Sequence, residues 1–231
     1  MTQAILWDLD GTIADTAPAH FAAWQETMGN LGVSYSHARF MADFGRNNGE
    51  ILPELLGSET KPERIHALSL EKEAAFRQQL HNGAHIALLP GVAEWLMRFD
   101  EAGIRQGVGS SGPMANIVAI IQALAVGDYF YGLLTGIRLP KGKPHPAIFL
   151  NLAAALEAEP EDCIVIEDSV HGIEAARRAG MASIAVGSLS QSARLDAALA
   201  QHSGPPCLRV AQLTELTWTQ IETLWSNQAI P

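Results

Sequence analysis

The stretch Ala4-Ile5-Leu6-Trp7-Asp8-Leu9-Asp10-Gly11-Thr12 constrains the rest of the chain most, because an apolar run ends there in two carboxylates and a glycine. Such a run, bounded by a turn signal, reads as a buried strand. Asp8 and Asp10 would share one strand face, but at about 3.3 Å per residue their side chains stand roughly 6 to 7 Å apart. A cation that holds its oxygens at about 2.1 Å does not bridge both side chains across that gap. The geometry that reconciles them is a strand that stops at Asp8. Gly11 then lets the chain bend, and Asp10 faces the same pocket from a loop. In that position Asp10 can offer a cation its main-chain carbonyl and keep its side chain for proton transfer.

Composition excludes several classes. A chain of 231 residues with 48% hydrophobic content can bury one large domain, or a core domain carrying a smaller insertion. There is no apolar run long enough to span a membrane, and no basic region precedes the first strand, so the expected location is cytoplasmic. Cys163 in an apolar run and Cys207 after two prolines read as a buried thiol and a loop thiol rather than a bridge. A net charge of −10 without a basic cluster argues against nucleic acid and anionic membranes as partners.

After Asp15-Thr16 the pattern turns helical, with Pro18 in a first turn and further candidates at Ile51 to Leu56 and Pro62 to Leu80. Strand signals are missing until about Leu89. Pro90-Gly91 marks a change to alternation: a helix from Val92 to Glu101, a strand from Ile104 to Gly109, and a helix from Met114 to Leu124. Further on come a helix from about Pro146 to Leu156, a strand from Cys163 to Ile166, a helix from Val170 to Ala179 and a strand from Ala182 to Val186. Cys207 to Val210 reads as a short strand and Leu213 to Trp225 as a final helix. Alternation of this kind predicts an α/β fold, a Rossmann-like parallel sheet with helices on both faces. Ligands gather at the carboxyl ends of such strands, where Asp8, Ser110 and Asp168 all fall.

Four segments carry a resemblance: Asp8-Leu9-Asp10-Gly11-Thr12, Val108-Gly109-Ser110-Ser111, Lys141-Gly142-Lys143-Pro144-His145-Pro146 and Val165-Ile166-Glu167-Asp168-Ser169. In this order and spacing they resemble the motifs of the haloacid dehalogenase (HAD) superfamily, in particular its branch of β-phosphoglucomutases and sugar-phosphate phosphatases. The resemblance implies a core domain in 1–15 and 89–231 and a small all-helical cap domain in 16–88, inserted after the first strand. It implies Asp8 as a nucleophile forming an aspartyl-phosphate, Asp10 as acid and base, and Mg²⁺ held by Asp8, Asp10, Glu167 and Asp168. Ser110 and Lys143 are expected to meet phosphoryl oxygens, and Ser111 to make a main-chain contact. Read alone, Ser110 is also a plausible turn serine, and Asp168 or Ser169 a helix cap. The motif carboxylates carry four negative charges against the single positive charge of Lys143, so a dianionic phosphate is repelled unless a divalent cation and one protonated carboxyl restore neutrality.

Cap-side recognition is expected from His20, Arg46, Asn48 and Lys72, with Trp24 and Asn47 nearby. His20 and Lys72 match β-phosphoglucomutase positions that help close the cap. Against this, His20 and Trp24 stand four apart and suit simple packing, and Lys72 lies between Glu71 and Glu73 on a plausible solvated face. The resemblance implies an enzyme acting on a small phosphorylated metabolite, a sugar or polyol phosphate, as a monomer or weak homo-oligomer. Hydrolysis is favoured over a mutase because Ser110-Ser111-Gly112-Pro113 lacks the cation that would hold a second phosphate. A phosphonoacetaldehyde-type hydrolase and a non-catalytic phosphometabolite-binding protein are the remoter alternatives.

Overall fold

In a computed structural model the described residues are 2–43, 46–82, 86–137, 139–200 and 204–228. The chain divides into two units, residues 1–15 with 87–231, and residues 16–86.

The larger unit is built on six parallel strands: β1 (Ala4–Trp7), β2 (Arg105–Ser110), β3 (Gly132–Thr135), β4 (Cys163–Glu167), β5 (Ala182–Ala185) and β6 (Cys207–Arg209). Their order is β3-β2-β1-β4-β5-β6. β1 lies centrally because every residue in it is apolar and buried, with strands on both sides. Trp7 aligns with Val108 on one side and Ile166 on the other, which fixes where the neighbouring strands end relative to Asp8. The Trp7 indole donates to Gln106 Oε1 at 3.0 Å, and Gln106 Nε2 donates to the Leu96 carbonyl at 2.8 Å. These buried polar groups are thus satisfied rather than stranded.

Helices cover the sheet: α5 (Val92–Glu101) packs on β2, α6 (Met114–Ala123) on β3, α7 (Ala147–Ala155) on β1 to β3, and α8 (Val170–Arg178) on β4 and β5. α9 (Ala193–Ala200) packs on α8, and α10 (Trp218–Gln228) on β4 and β5. Two of these elements escape the sequence pattern. β3 is only Gly-Leu-Leu-Thr, too short to show a period, and α9 lies in a tail of mixed character. The expected final helix divides into a 3₁₀ turn at Leu213–Glu215 and α10, with Trp218 stacked on Trp95.

The smaller unit contains α1 (Ala17–Gly29), α2 (His37–Asp43), α3 (Asn48–Leu56) and α4 (Pro62–His81). Its core joins Trp24, Met28, Tyr35, Phe40, Ile51, Leu52 and Leu68. Among the described residues no helix is long and apolar enough to cross a membrane.

Candidate active site

Asp8 is the first residue beyond β1, and its amide donates to the Ile166 carbonyl at 2.9 Å. Ser110 ends β2 and Glu167 ends β4, so three adjacent strands deliver these side chains at their carboxyl ends. The next residues form a tight turn in which Gly11 adopts φ +82°. A side chain there would be strained by the backbone and would also overlap Asp168 Oδ2. Glycine therefore both permits the bend and leaves room for the second carboxylate.

Lys143 comes from the loop between β3 and α7, where the Lys143–Pro144 peptide is cis. Its ammonium donates to Asp8 Oδ1 at 2.5 Å and to Glu167 Oε2 at 2.7 Å, and lies 4.9 Å from the centroid of the Phe149 ring. The other Glu167 oxygen accepts from the amides of Ser169 at 3.0 Å and Asp168 at 3.2 Å, just before α8. Ser169 caps that helix through its hydroxyl, which accepts from Gly172 N at 3.0 Å. A Cβ on Gly172 would fall inside the Glu167 carboxylate, so α8 can start this close to the strand end only with glycine at that position.

The electrostatics follow from burial. Asp8 is 8% exposed and Glu167 1%. Desolvation, with the charge of Glu167, pushes the Asp8 carboxyl up to about 7 against the opposing pull of Lys143. Desolvation and the charges of Asp8 and Glu167 push Asp168 up to about 9. Burial alone would lower the pKa of Lys143, but its two carboxylate partners outweigh this and hold it above the usual lysine value. Asp8, Glu167 and Asp168 each offer an oxygen, all within 4.8 Å of one another. One ammonium is too little charge for three carboxylates, and an all-oxygen donor set suits a hard divalent cation.

Ser110 Oγ accepts from Gly112 N at 3.0 Å and lies 3.5 Å from Asp10 Oδ2. Ser111 follows it and is exposed. The larger unit thus brings together Asp8, Asp10, Ser110, Lys143, Glu167 and Asp168. Phe149 beside Lys143 and the steric role of Gly172 behind Glu167 escape sequence reasoning, because a phenylalanine and a glycine in helices carry no sign of the charged groups packed against them.

In the smaller unit Lys72 is 3% exposed, which overturns the solvated-face reading. Its Nζ lies 2.9 Å from His20 Nδ1 and 3.0 Å from Glu73 Oε1, and Asn48 Nδ2 donates to the same Glu73 oxygen at 2.7 Å. Burial would raise the Glu73 carboxyl, but the charges of Lys72 and His20 and these bonds hold it below the usual range. His20 stacks on Phe76, and Trp24 stacks on Tyr35. Arg46 is engaged by Glu54 at 2.6 Å and Asp43 at 2.9 Å. Arg39 binds the same two carboxylates. Phe44 and Gly45, which precede Arg46, lie outside the described residues.

Residues 2–180 match the haloacid dehalogenase-like hydrolase family. The chain is 34% identical to β-phosphoglucomutase of Bacillus subtilis (strain 168) over 190 residues, covering 80% of this chain and 83% of that protein. It is 32% identical to fructose-1-phosphate phosphatase YqaB of Escherichia coli (strain K12), covering 79% and 95%. The crystal structure of a HAD hydrolase, family IA, variant 3, from Entamoeba histolytica superimposes with a TM-score of 0.82 at 26% identity, covering 98% of this chain and all of that one.

Proposed function

The chain belongs to the haloacid dehalogenase-like hydrolases, and from that premise we propose that it is a Mg²⁺-dependent phosphatase of a small sugar or polyol phosphate, working in the cytoplasm through an aspartyl-phosphate. The observation that carries this reading is the buried Asp8 carboxylate, oriented by Lys143 at 2.5 Å and flanked by Glu167 and Asp168. Asp8, Glu167 and Asp168, with the main chain of Asp10, would hold the cation, which supplies positive charge against the phosphoryl oxygens when bound.

Lys143 aims Asp8 and favours its ionised form against the pull of burial, so that one carboxylate oxygen can attack phosphorus in line with the leaving alkoxide. Asp10 protonates that alkoxide. It then takes the proton from the water that attacks the aspartyl-phosphate, which releases inorganic phosphate and regenerates Asp8. Ser110 Oγ and the Lys143 ammonium donate to phosphoryl oxygens as their charge builds. The test is inorganic phosphate release from a panel of sugar and polyol phosphates with Mg²⁺, with and without EDTA; no release from any member of the panel overturns the reading.

The 34% identity to a β-phosphoglucomutase supports a second reading, a phosphohexomutase. Such an enzyme holds two phosphates while excluding water. Ser110-Ser111-Gly112-Pro113 offers no cation for a second phosphate, and Arg46 is engaged by Glu54 and Asp43, so hydrolysis is preferred. Interconversion of glucose 1- and 6-phosphates without phosphate release would reverse that preference.

A further inference from the structure

The β3 edge of the sheet differs from the rest of the molecule in charge. Among the described residues, α6 and α7 are the α-helices that contain no Asp, Glu, Lys or Arg, and β3 between them contains none either. From Ser110 to Ile137 the sole charged residue is Asp128, in a chain whose residues are 17% charged and whose net charge is −10. Apolar groups face solvent on these elements: Met114 and Val118 one turn apart on α6, Leu150 on α7, and Tyr131 and Ile137 at the two ends of β3, 67% and 60% exposed.

Among the described residues β3 is also the last strand of the sheet, paired with β2 along one edge only. Natural sheets guard such an edge with charged side chains, proline, a bulge or a covering loop, or keep it short, as the four residues of β3 do. Gly132-Leu133-Leu134-Thr135 has no charge or proline to do so. We propose that this edge is a homodimer interface, in which β3 pairs antiparallel with β3 of a second copy about a two-fold axis.

The charge distribution selects the occupant. Two chains of charge −10 repel over most of their surfaces, and a face so poor in charge is where that repulsion is weakest. A basic or acidic partner would gain nothing from it. A strand edge, by contrast, is complementary to itself under a two-fold axis, and the flanking Met, Val, Tyr, Ile and Leu side chains supply an apolar rim that two copies can share. The interface would also reach the Ser110 loop, because Gly136 N donates to the Ser110 carbonyl at 2.8 Å and Thr135 Oγ1 to the Gly112 carbonyl at 2.7 Å.

Sedimentation velocity in reducing buffer from about 1 to about 200 µM tests this, together with amide exchange of β3 over the same range. The expected result is a species of twice the 24.8 kDa chain mass at high concentration, with those amides of Gly132–Thr135 that face away from β2 protected in step with its formation. Val118→Lys with Ile137→Lys, both at exposed positions, should weaken association more than tenfold. A chain that stays at 24.8 kDa with concentration-independent exchange at β3 overturns the proposal and leaves the edge to a different chain or to solvent. A dimer without β3 protection, or one that persists in the folded double variant, overturns it as well. Should the variant not fold, the exchange of the wild-type strand decides alone.

Discussion

Gly172→Ala tests whether the active site depends on how closely α8 approaches the end of β4. Position 172 lies in the first turn of α8, and its backbone is not in the left-handed region, so alanine costs nothing there in conformation. Considered as helix alone, the change is favourable by up to about 1 kcal/mol. The new Cβ, however, overlaps the Glu167 carboxylate, which must leave its bond to Lys143. Losing one charge-assisted bond costs about 1.5 to 3 kcal/mol. The net loss is roughly 0.5 to 3 kcal/mol, or a few degrees in Tm for a chain of this size. Turnover should suffer far more, because Glu167 and Lys143 together orient Asp8, and a misplacement near 1 Å costs about 10². Phosphate release, Mg²⁺ titration and thermal melting on one preparation separate the two effects. Gly29→Ala, at the end of α1 with nothing near its Cβ, is the control. A Gly172→Ala protein with turnover within about threefold of wild type and unchanged Mg²⁺ affinity would refute the reasoning.

Asp8→Asn should lower phosphate release by at least roughly 10⁴, and Asp10→Asn by about 10² to 10⁴, with far-UV circular dichroism unchanged in both; wild-type turnover in either removes its assigned role. The carboxyls of Asp8 and Asp168, raised to about 7 and about 9, keep protons that the unfolded chain has released above pH 5. The folded state thus binds more protons than the unfolded one in that window, so with EDTA present Tm should fall as pH rises from about 5 to about 9. Saturating Mg²⁺ should flatten that slope, and melts at several pH values with either addition measure it. Lys72→Met removes a cation from its partly buried Glu73 partner and should cost up to about 3 kcal/mol in urea unfolding, with Glu73→Gln in the same chain recovering part of it. Equal losses in the single and double variants would show that the pair is not coupled.

Local sequence already determined where the central strands stop and which side chains lie at their ends. Ala4–Trp7 and residues 163–166 are apolar runs that no surface position accommodates, and each gives way directly to carboxylates. Gly11 marks the bend after β1 because its φ of +82° is disfavoured for residues with a side chain. α5 and α8 were legible because their apolar positions follow the helical period. β3 was not, because four residues carry no period and its neighbours are found only through β2. Charge gave equally little warning at Lys72, which stands between two glutamates in sequence yet is buried against His20 and Glu73. Only the tertiary structure decided these partners: that Lys143 neutralises Asp8 and Glu167 from far along the chain, that Gly172 yields its side-chain space to Glu167, and that Arg46 is engaged by Glu54. The physical reason is that hydrophobic burial is encoded residue by residue, whereas the cost of a desolvated charge depends on which opposite charge lies within about 3 Å, and that distance exists only once the chain has folded.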